Sequence, residues 1–188
     1  MSKNTLFTVF IFIGLGLANA QKTEISISYG TPSLYGVAYD FVNVVFNQVD
    51  QNDEVRASAK GVLDASVSFY SPNQKWQYGL GLMNEFFDDD NTSYGTDANF
   101  FTLLPNVNYL WRKPERKFQI YSGAGLGITF MKLNYTDKES NDRVNDSKTA
   151  VTWNVTPFGL KYGQDYGLFF DSSVGIRSFA RLGFFYKF

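Results

Sequence analysis

The sequence predicts an all-β protein whose strands close into an antiparallel, up-and-down transmembrane β-barrel of about eight strands. The main observation is a recurring alternation of apolar and mixed residues, which is typical of strands with one face in an apolar medium. It is clearest in the final segment, Ser178–Phe188, where the alternate positions are all apolar: Ala180, Leu182, Phe184, Tyr186 and Phe188. Aromatic residues also make up 18% of the chain, a content that is high for a soluble domain and ordinary for a membrane barrel.

Seven earlier segments show the same alternation and are predicted to be the other strands. They are Thr23–Gly30, Ala57–Ser71, Lys75–Phe87, Phe100–Arg112, Lys117–Leu133, Thr149–Tyr162 and Tyr166–Ile176. In each, we expect the apolar set to face lipid and the polar or glycine set to face the lumen. Tilted strands of ~9–11 residues cross the hydrocarbon. For strands in lipid, only a closed sheet satisfies every backbone N–H and C=O.

Two predicted strands contain a proline that disturbs the pattern. Pro105 falls inside the fourth strand, where it removes a ladder hydrogen bond, so we expect a local bulge at that point. In the sixth strand, the large apolar residues before Pro157 are at odd-numbered positions and those after it are at even-numbered positions, so a regular strand would point them to opposite faces. Either a bulge near Pro157 or an inward-facing Trp153 would reconcile the two halves, and the sequence leaves both open.

The connections between the predicted strands alternate in length. Those after strands two, four and six are tight, those after strands one, three and five are long, and the one after strand seven is short. The first long connection, Thr31–Asp53, has apolar residues at helical spacing behind a possible N-cap at Ser33. It predicts an amphipathic helix that either packs on its own barrel, which we favour, or lies on the membrane surface. The connections Asp88–Asn99 and Asn134–Lys148 are polar and are expected to be loops.

The N-terminus has the features of a secretory signal peptide. Lys3 supplies a positive charge, Leu6–Leu17 is apolar, and Ala18-Asn19-Ala20 matches a small-x-small cleavage site. We therefore expect residues 1–20 to be a cleaved signal peptide and residues 21–188 to form one barrel domain.

The end of the chain carries a family resemblance. A terminal aromatic residue preceded by aromatics two and four positions earlier (Phe188, Tyr186 and Phe184) resembles the C-terminal signature of bacterial outer-membrane β-barrels. The whole pattern is similar to the OmpA transmembrane domain and OmpX-like proteins, and TPFGLKYG with YGLFFDSSVG resembles small barrel proteins of Bacteroidota. The resemblance implies a Gram-negative cell envelope and a last strand that closes the barrel. It also implies that the barrel-assembly machinery reads the terminal aromatics and that both mature termini are periplasmic.

Two sets of residues near the tight turns are predicted to meet the membrane interface. A girdle of aromatic side chains at headgroup level is predicted from Trp76, Tyr78, Tyr109, Trp111, Phe118 and Tyr162. The same periplasmic end is predicted to hold the cations Lys75, Arg112, Lys113, Arg116, Lys117, Lys161 and Lys187. The long loops are acidic instead, and we expect them to meet lipopolysaccharide and its bridging divalent cations.

Three consecutive carboxylates in one long loop are candidates for a divalent-cation site. Asp88, Asp89 and Asp90 supply the oxygen ligands that hard cations favour. We favour a solvated loop, because their spacing matches no calcium-binding loop.

The inward-facing positions predict a lumen filled by side chains, since an eight-stranded barrel is only wide enough for side chains to fill it. The charged members are predicted to form an internal ion-pair network: Asp64, Glu85, Asp171, Arg177 and Arg181. We expect Asp171 to pair with Arg181 on the neighbouring strand. The many inward glycines either relieve crowding, which we favour, or leave a small cavity lined by Met83, Tyr121 and Phe169.

The composition narrows the possible functions. The chain has no cysteine and no histidine, which excludes disulfides, Ser-His hydrolases and most zinc sites. Its net charge of −1 gives no electrostatic case for nucleic acid. We favour a monomeric, non-enzymatic outer-membrane protein without a cofactor, in a structural or surface-interaction role. A conduit or binder for a small molecule, including a hydrophobic one, is the alternative, and a lipid-modifying enzyme is disfavoured.

Overall fold

A computed structural model of the chain describes residues 22–38, 57–89, 97–112, 116–136 and 143–188. Eight strands within these residues form one closed sheet in the order of the sequence. They are β1 (Thr23–Gly30), β2 (Ala57–Tyr70), β3 (Trp76–Asp89), β4 (Asp97–Leu110), β5 (Phe118–Thr136), β6 (Arg143–Gly163), β7 (Tyr166–Gly175) and β8 (Ala180–Lys187). Every neighbouring pair is antiparallel, including β1 with β8. The predicted closed, up-and-down barrel is confirmed.

Side chains along each strand point alternately out of the barrel and into its lumen, because successive residues of a strand face opposite sides. On β8, Leu182, Phe184 and Tyr186 are exposed, whereas Arg181 and Phe185, which belong to the alternate set, are buried. The described outer surface is therefore largely apolar and the lumen largely polar. This distribution of apolar and polar side chains is the reverse of the one found in water-soluble sheet proteins.

A bulge in β6 resolves the parity change around Pro157. The register between β6 and β7 shifts between Val155 and Phe158, and the register between β5 and β6 shifts at the same level. One extra residue in β6 lets Trp153, which is 41% exposed, and Phe158, which is 45% exposed, both face outward. Of the two alternatives, the bulge is confirmed and the inward-facing Trp153 is wrong.

The bulge predicted at Pro105 is wrong. Pro105 pairs with Leu80 of β3, and the register between β3 and β4 is continuous. Towards β5, the pairing stops after Leu103 and resumes at Asn106 without a change of register. Proline lacks only its N–H, so a gap in one ladder accommodates it without an extra residue.

The strands at the second and third long connections extend beyond their predicted ends, whereas β1 and β2 end at the first long connection as predicted. β3 continues to Asp89 and β4 begins at Asp97, while β5 and β6 pair as far as Thr136 and Arg143. The predicted loops Asp88–Asn99 and Asn134–Lys148 are therefore partly strand. Apolar alternation marks only the part of a strand that has an apolar face, whereas ladder hydrogen bonds join backbone groups and need no apolar side chains.

The two ends of the barrel differ in their connections. One end carries the short connections 71–75, 111–117 and 164–165, and we call it the tight-turn end. The first and last strands are joined at this end of the sheet: the Thr23 N–H donates to the Phe188 carbonyl at 2.8 Å, and the Phe188 N–H donates to the Thr23 carbonyl at 2.9 Å. The opposite end is the long-loop end. In the described part of the chain, no helix is long and apolar enough to cross a membrane.

The helix predicted in the first long connection is described only at its start, residues 34–38. The Gly36 N–H donates to Ser33 Oγ at 3.0 Å, and the Val37 N–H donates to the Ser33 carbonyl at 3.0 Å. Ser33 is therefore the N-cap, as predicted. The rest of the predicted helix, residues 39–53, falls outside the described residues.

Candidate functional site

Four charged side chains meet in the middle of the lumen, and we call them the central cluster: Asp64, Asp171, Arg177 and Arg181. None is more than 6% exposed. Arg181 lies opposite Asp171 in the β7–β8 register, and its Nε and Nη2 donate to the two Asp171 carboxylate oxygens at 2.7 and 2.7 Å. Its Nη1 donates to Asp64 Oδ2 at 2.9 Å, and Arg177 Nε forms an ion pair with that oxygen at 2.9 Å. Two acids and two bases thus balance inside the barrel.

Aromatic side chains fill the space around the central cluster. The Tyr121 hydroxyl donates to Asp171 Oδ2 at 2.6 Å, and the Arg181 guanidinium carbon lies 5.0 Å from the centre of the Phe169 ring. Gly159 faces the Tyr121 ring so closely that a Cβ atom at this position would overlap it. At this position the glycine therefore relieves crowding.

A second ionic group lies nearer the tight-turn end, and we call it the basal cluster: Glu24, Lys161, Lys187, Tyr70 and Gln77. Glu24 is its centre. Lys161 Nζ lies 2.5 Å from Glu24 Oε1 and Lys187 Nζ lies 3.9 Å from Glu24 Oε2. The Tyr70 hydroxyl donates to Glu24 Oε2 at 2.6 Å, and Gln77 Nε2 donates to Oε1 at 2.8 Å. A single buried carboxylate thus binds two cations and two neutral donors.

The basal cluster corrects one prediction. Position along the strands places Lys161 and Lys187 among the interfacial cations, whereas both are buried and face the lumen. Position alone does not take account of the alternating directions of side chains along a strand. The signal was present, because Lys187 alternates with the outward Tyr186 and Phe188, and Lys161 with the outward Tyr162.

The fifth residue predicted for the network, Glu85, lies towards the long-loop end. Its carboxylate accepts hydrogen bonds from the first loop: the Ser33 N–H donates to Oε1 at 2.7 Å and the Ser33 hydroxyl donates to Oε2 at 2.6 Å. Both residues are buried. The start of the first loop, residues 31–38, is therefore anchored inside the mouth of the barrel, and we call it the loop-one segment.

An apolar layer lies beneath the loop-one segment. Tyr35 packs against the buried side chains of this layer: Val62, Met83, Leu104 and Ile176. Met83 thus belongs to a different layer from Tyr121, which packs with Tyr70 and Leu110. Tyr121 and Phe169 do line a polar cavity, but its volume is only about 20 Å³, room for about one water molecule. The three residues therefore do not enclose the apolar cavity that the sequence left open.

The residues predicted to face the membrane point outward. Trp76, Tyr78, Trp111, Phe118 and Tyr162 are exposed near the tight-turn end, as are Phe184, Tyr186 and Phe188 of the C-terminal signature. Tyr109 is half-buried between two of them, with ring centres 4.9 Å from Trp76 and 5.2 Å from Trp111. Trp76, Tyr109 and Trp111 thus form a continuous aromatic surface at the tight-turn ends of β3 and β4.

The structure describes the candidate cation ligands only in part. The backbones of Asp88 and Asp89 continue β3, while their side chains and all of Asp90 fall outside the described residues. Among the side chains that are described, no group of three or more Asp, Glu, His or Cys residues is arranged to hold a metal ion.

Comparison with known proteins supports the fold. No family model matches the chain, and no curated protein matches it. Among solved structures, Ail, the attachment invasion locus protein of Yersinia pestis, is 12% identical, with a TM-score of 0.51 over 89% of this chain and 98% of Ail. This chain shares the eight-stranded barrel fold of Ail.

Two further solved structures align over similar lengths. The N-terminal β-barrel domain of Pseudomonas aeruginosa OprF is 15% identical, with a TM-score of 0.49 over 90% of this chain and 98% of that domain. A major outer membrane protein from Thermus thermophilus is 14% identical, with a TM-score of 0.39 over 89% of this chain and 99% of that protein.

Proposed function

We propose that the protein is an integral outer-membrane β-barrel with a closed lumen and a non-enzymatic, structural or surface-interaction role. Membrane insertion is supported by the outer surface, where exposed apolar and aromatic side chains occur on all eight strands. Contiguous apolar surface on this scale rarely faces water. The continuous β1–β8 pairing leaves no free edge between the first and last strands, as the hydrocarbon region requires.

The observation that carries the proposal is the filled lumen. Within the described residues, the buried charged side chains are four acids and four bases: Glu24, Asp64, Glu85, Asp171, Lys161, Arg177, Arg181 and Lys187. Their charges cancel, and buried charges are stable when they are paired and hydrogen-bonded. Together with the apolar layer, they form a plug. The polar cavity lined by Tyr121 and Phe169, about 20 Å³ in volume, is too small for an organic ligand.

The remaining parts of the proposal concern placement in the cell. We infer that residues 1–20 direct export and are removed, that the long loops lie at the cell surface against lipopolysaccharide, and that the tight turns are periplasmic. The resemblance of the C-terminal aromatics to the outer-membrane signature supports recognition by the barrel-assembly machinery. The long loops would then carry any surface interaction, and a single chain forms the whole barrel.

Conductance measurements test the filled lumen. The full mature chain is inserted into a planar lipid bilayer, and insertion is checked by a difference in gel migration between unboiled and boiled samples. A porin in the same lipid is the positive control. We expect migration that depends on heating and no stable ionic current. A stable ohmic pore would contradict the plug, whereas identical migration of the two samples would contradict the membrane barrel itself.

A further inference from the structure

Four exposed cations at the tight-turn end lie in two adjoining turns, and a fifth, Lys22, lies directly before β1. Lys75 lies in the β2–β3 turn, and Arg112, Arg116 and Lys117 lie in the β4–β5 turn. The two turns adjoin, because the Leu110 N–H donates to the Lys75 carbonyl at 2.8 Å. We call these four cations the basic patch. The β6–β7 turn carries an exposed acid, Asp165, instead, so the tight-turn end has a basic side.

The aromatic rings beside the basic patch are held in fixed positions. Tyr109 contacts Trp76 and Trp111 edge-to-face. The Trp111 indole N–H donates to Ser122 Oγ at 2.9 Å. The Arg112 guanidinium carbon lies 5.5 Å from the centre of the Phe118 ring, a distance at which cation and ring attract each other. The cations therefore lie next to ordered aromatic rings of the kind that occupy the headgroup level of a membrane.

We propose that the basic patch binds the phosphate groups of anionic phospholipids in the membrane leaflet next to the tight turns. This inference rests on the proposed function, since it requires an inserted barrel. The neighbouring tryptophans favour a lipid over a soluble anion, because they fix the patch at the depth of the headgroups. Arginine and lysine side chains bind phosphate groups through charge-assisted hydrogen bonds. Each such cation near an anionic leaflet raises the affinity for the lipid about fivefold.

Lipid selectivity tests this site. The full mature chain is reconstituted with equal amounts of phosphatidylglycerol and phosphatidylcholine, and lipids retained after mild detergent extraction are counted by native mass spectrometry. We expect the wild-type protein to retain phosphatidylglycerol preferentially. The triple variant Lys75→Ala, Arg112→Ala, Lys117→Ala should lower this enrichment about tenfold or more. A triple variant with the same charge change near the other end, Lys60→Ala, Lys132→Ala, Lys148→Ala, should retain it.

Equal enrichment in the wild-type protein and the basic-patch variant would overturn the inference, as would an equal loss in the control variant. Displacement of phosphatidylglycerol by millimolar inorganic phosphate would also overturn it, because the site would then bind soluble phosphate. If the triple variant does not fold, the single variants Lys75→Ala and Lys117→Ala provide the test, with a loss of about fivefold each. Heat-dependent gel migration of every sample separates failure of this site from failure of the barrel to insert.

Discussion

Replacing Arg181 with methionine tests whether the central cluster is one coupled ionic unit. Arg181 donates to Asp171 at 2.7 and 2.7 Å, to Asp64 at 2.9 Å and to Ser28 Oγ at 3.2 Å. Methionine keeps much of the side-chain length but supplies no donor. The cluster then holds two carboxylates and one guanidinium in the middle of the barrel, and its charge changes from balanced to −1.

The expected cost follows from that imbalance. Breaking a buried ion pair by removing one partner destabilises a protein by ~3–5 kcal/mol, because the remaining charge is left uncompensated. Asp171 keeps its hydrogen bond from Tyr121, so we expect a value at the lower end, about 3 kcal/mol. In the double variant Arg181→Met, Asp171→Asn, the amide oxygen still accepts from Tyr121 and the charges balance again. The double variant should be destabilised by about 2 kcal/mol less than the sum of the destabilisations of the two single variants.

Urea titration of the barrel in lipid vesicles measures these free energies of unfolding. Tryptophan fluorescence and gel migration give two independent readings of the folded fraction. A cost below about 1 kcal/mol for Arg181→Met would refute the reasoning that the cluster is buried and coupled. The destabilisation of the double variant could instead equal the sum of the two single destabilisations. This result would also refute the reasoning, because such additivity is typical of independent residues more than ~7–10 Å apart.

Three further contacts give sharp expectations. Gly159→Ala should destabilise the barrel by about 1–3 kcal/mol, because a Cβ atom there overlaps a buried tyrosine ring; Gly81→Ala, where the nearest atom is 3.2 Å away, should cost less in the same titration. Ser122→Ala should cost about 1 kcal/mol, because its hydroxyl donates to the Pro157 carbonyl at 2.8 Å on the outer face of the bulge; an unchanged unfolding curve would count against this. Glu85→Ala should release the loop-one segment and speed proteolysis of the first loop in intact vesicles, and the same rate as in the wild-type protein would show that the anchor is unimportant.

The barrel was predictable because the alternation of apolar and polar residues can be recognised within each single strand. A strand repeats every two residues, and an apolar exterior makes one face apolar along its whole length, as in β8. The pair Asp171 and Arg181 was predictable for the same reason. The two residues occupy inward positions on strands joined by a short connection, and they lie directly opposite in the register.

Contacts across the lumen were not predictable from the pattern. Glu24 and Lys161 are 137 residues apart, and Asp64 and Arg181 are 117 residues apart. These contacts depend on the stagger between strands, which is set only when the sheet closes on itself. The anchor of Ser33 on Glu85 depends in addition on the first loop folding inward, and no strand periodicity encodes this.

Cysteine cross-linking of the first and last strands tests the closed barrel most directly. Ile27 of β1 lies opposite Phe184 of β8, and such antiparallel partners are close enough for a disulfide. The chain has no cysteine of its own, so an introduced pair gives no background. In membrane-inserted protein, we predict a disulfide for Ile27→Cys with Phe184→Cys and none for Ile27→Cys with Phe188→Cys. The absence of a cross-link in the first pair, or an equal yield in both, would contradict the closed sheet.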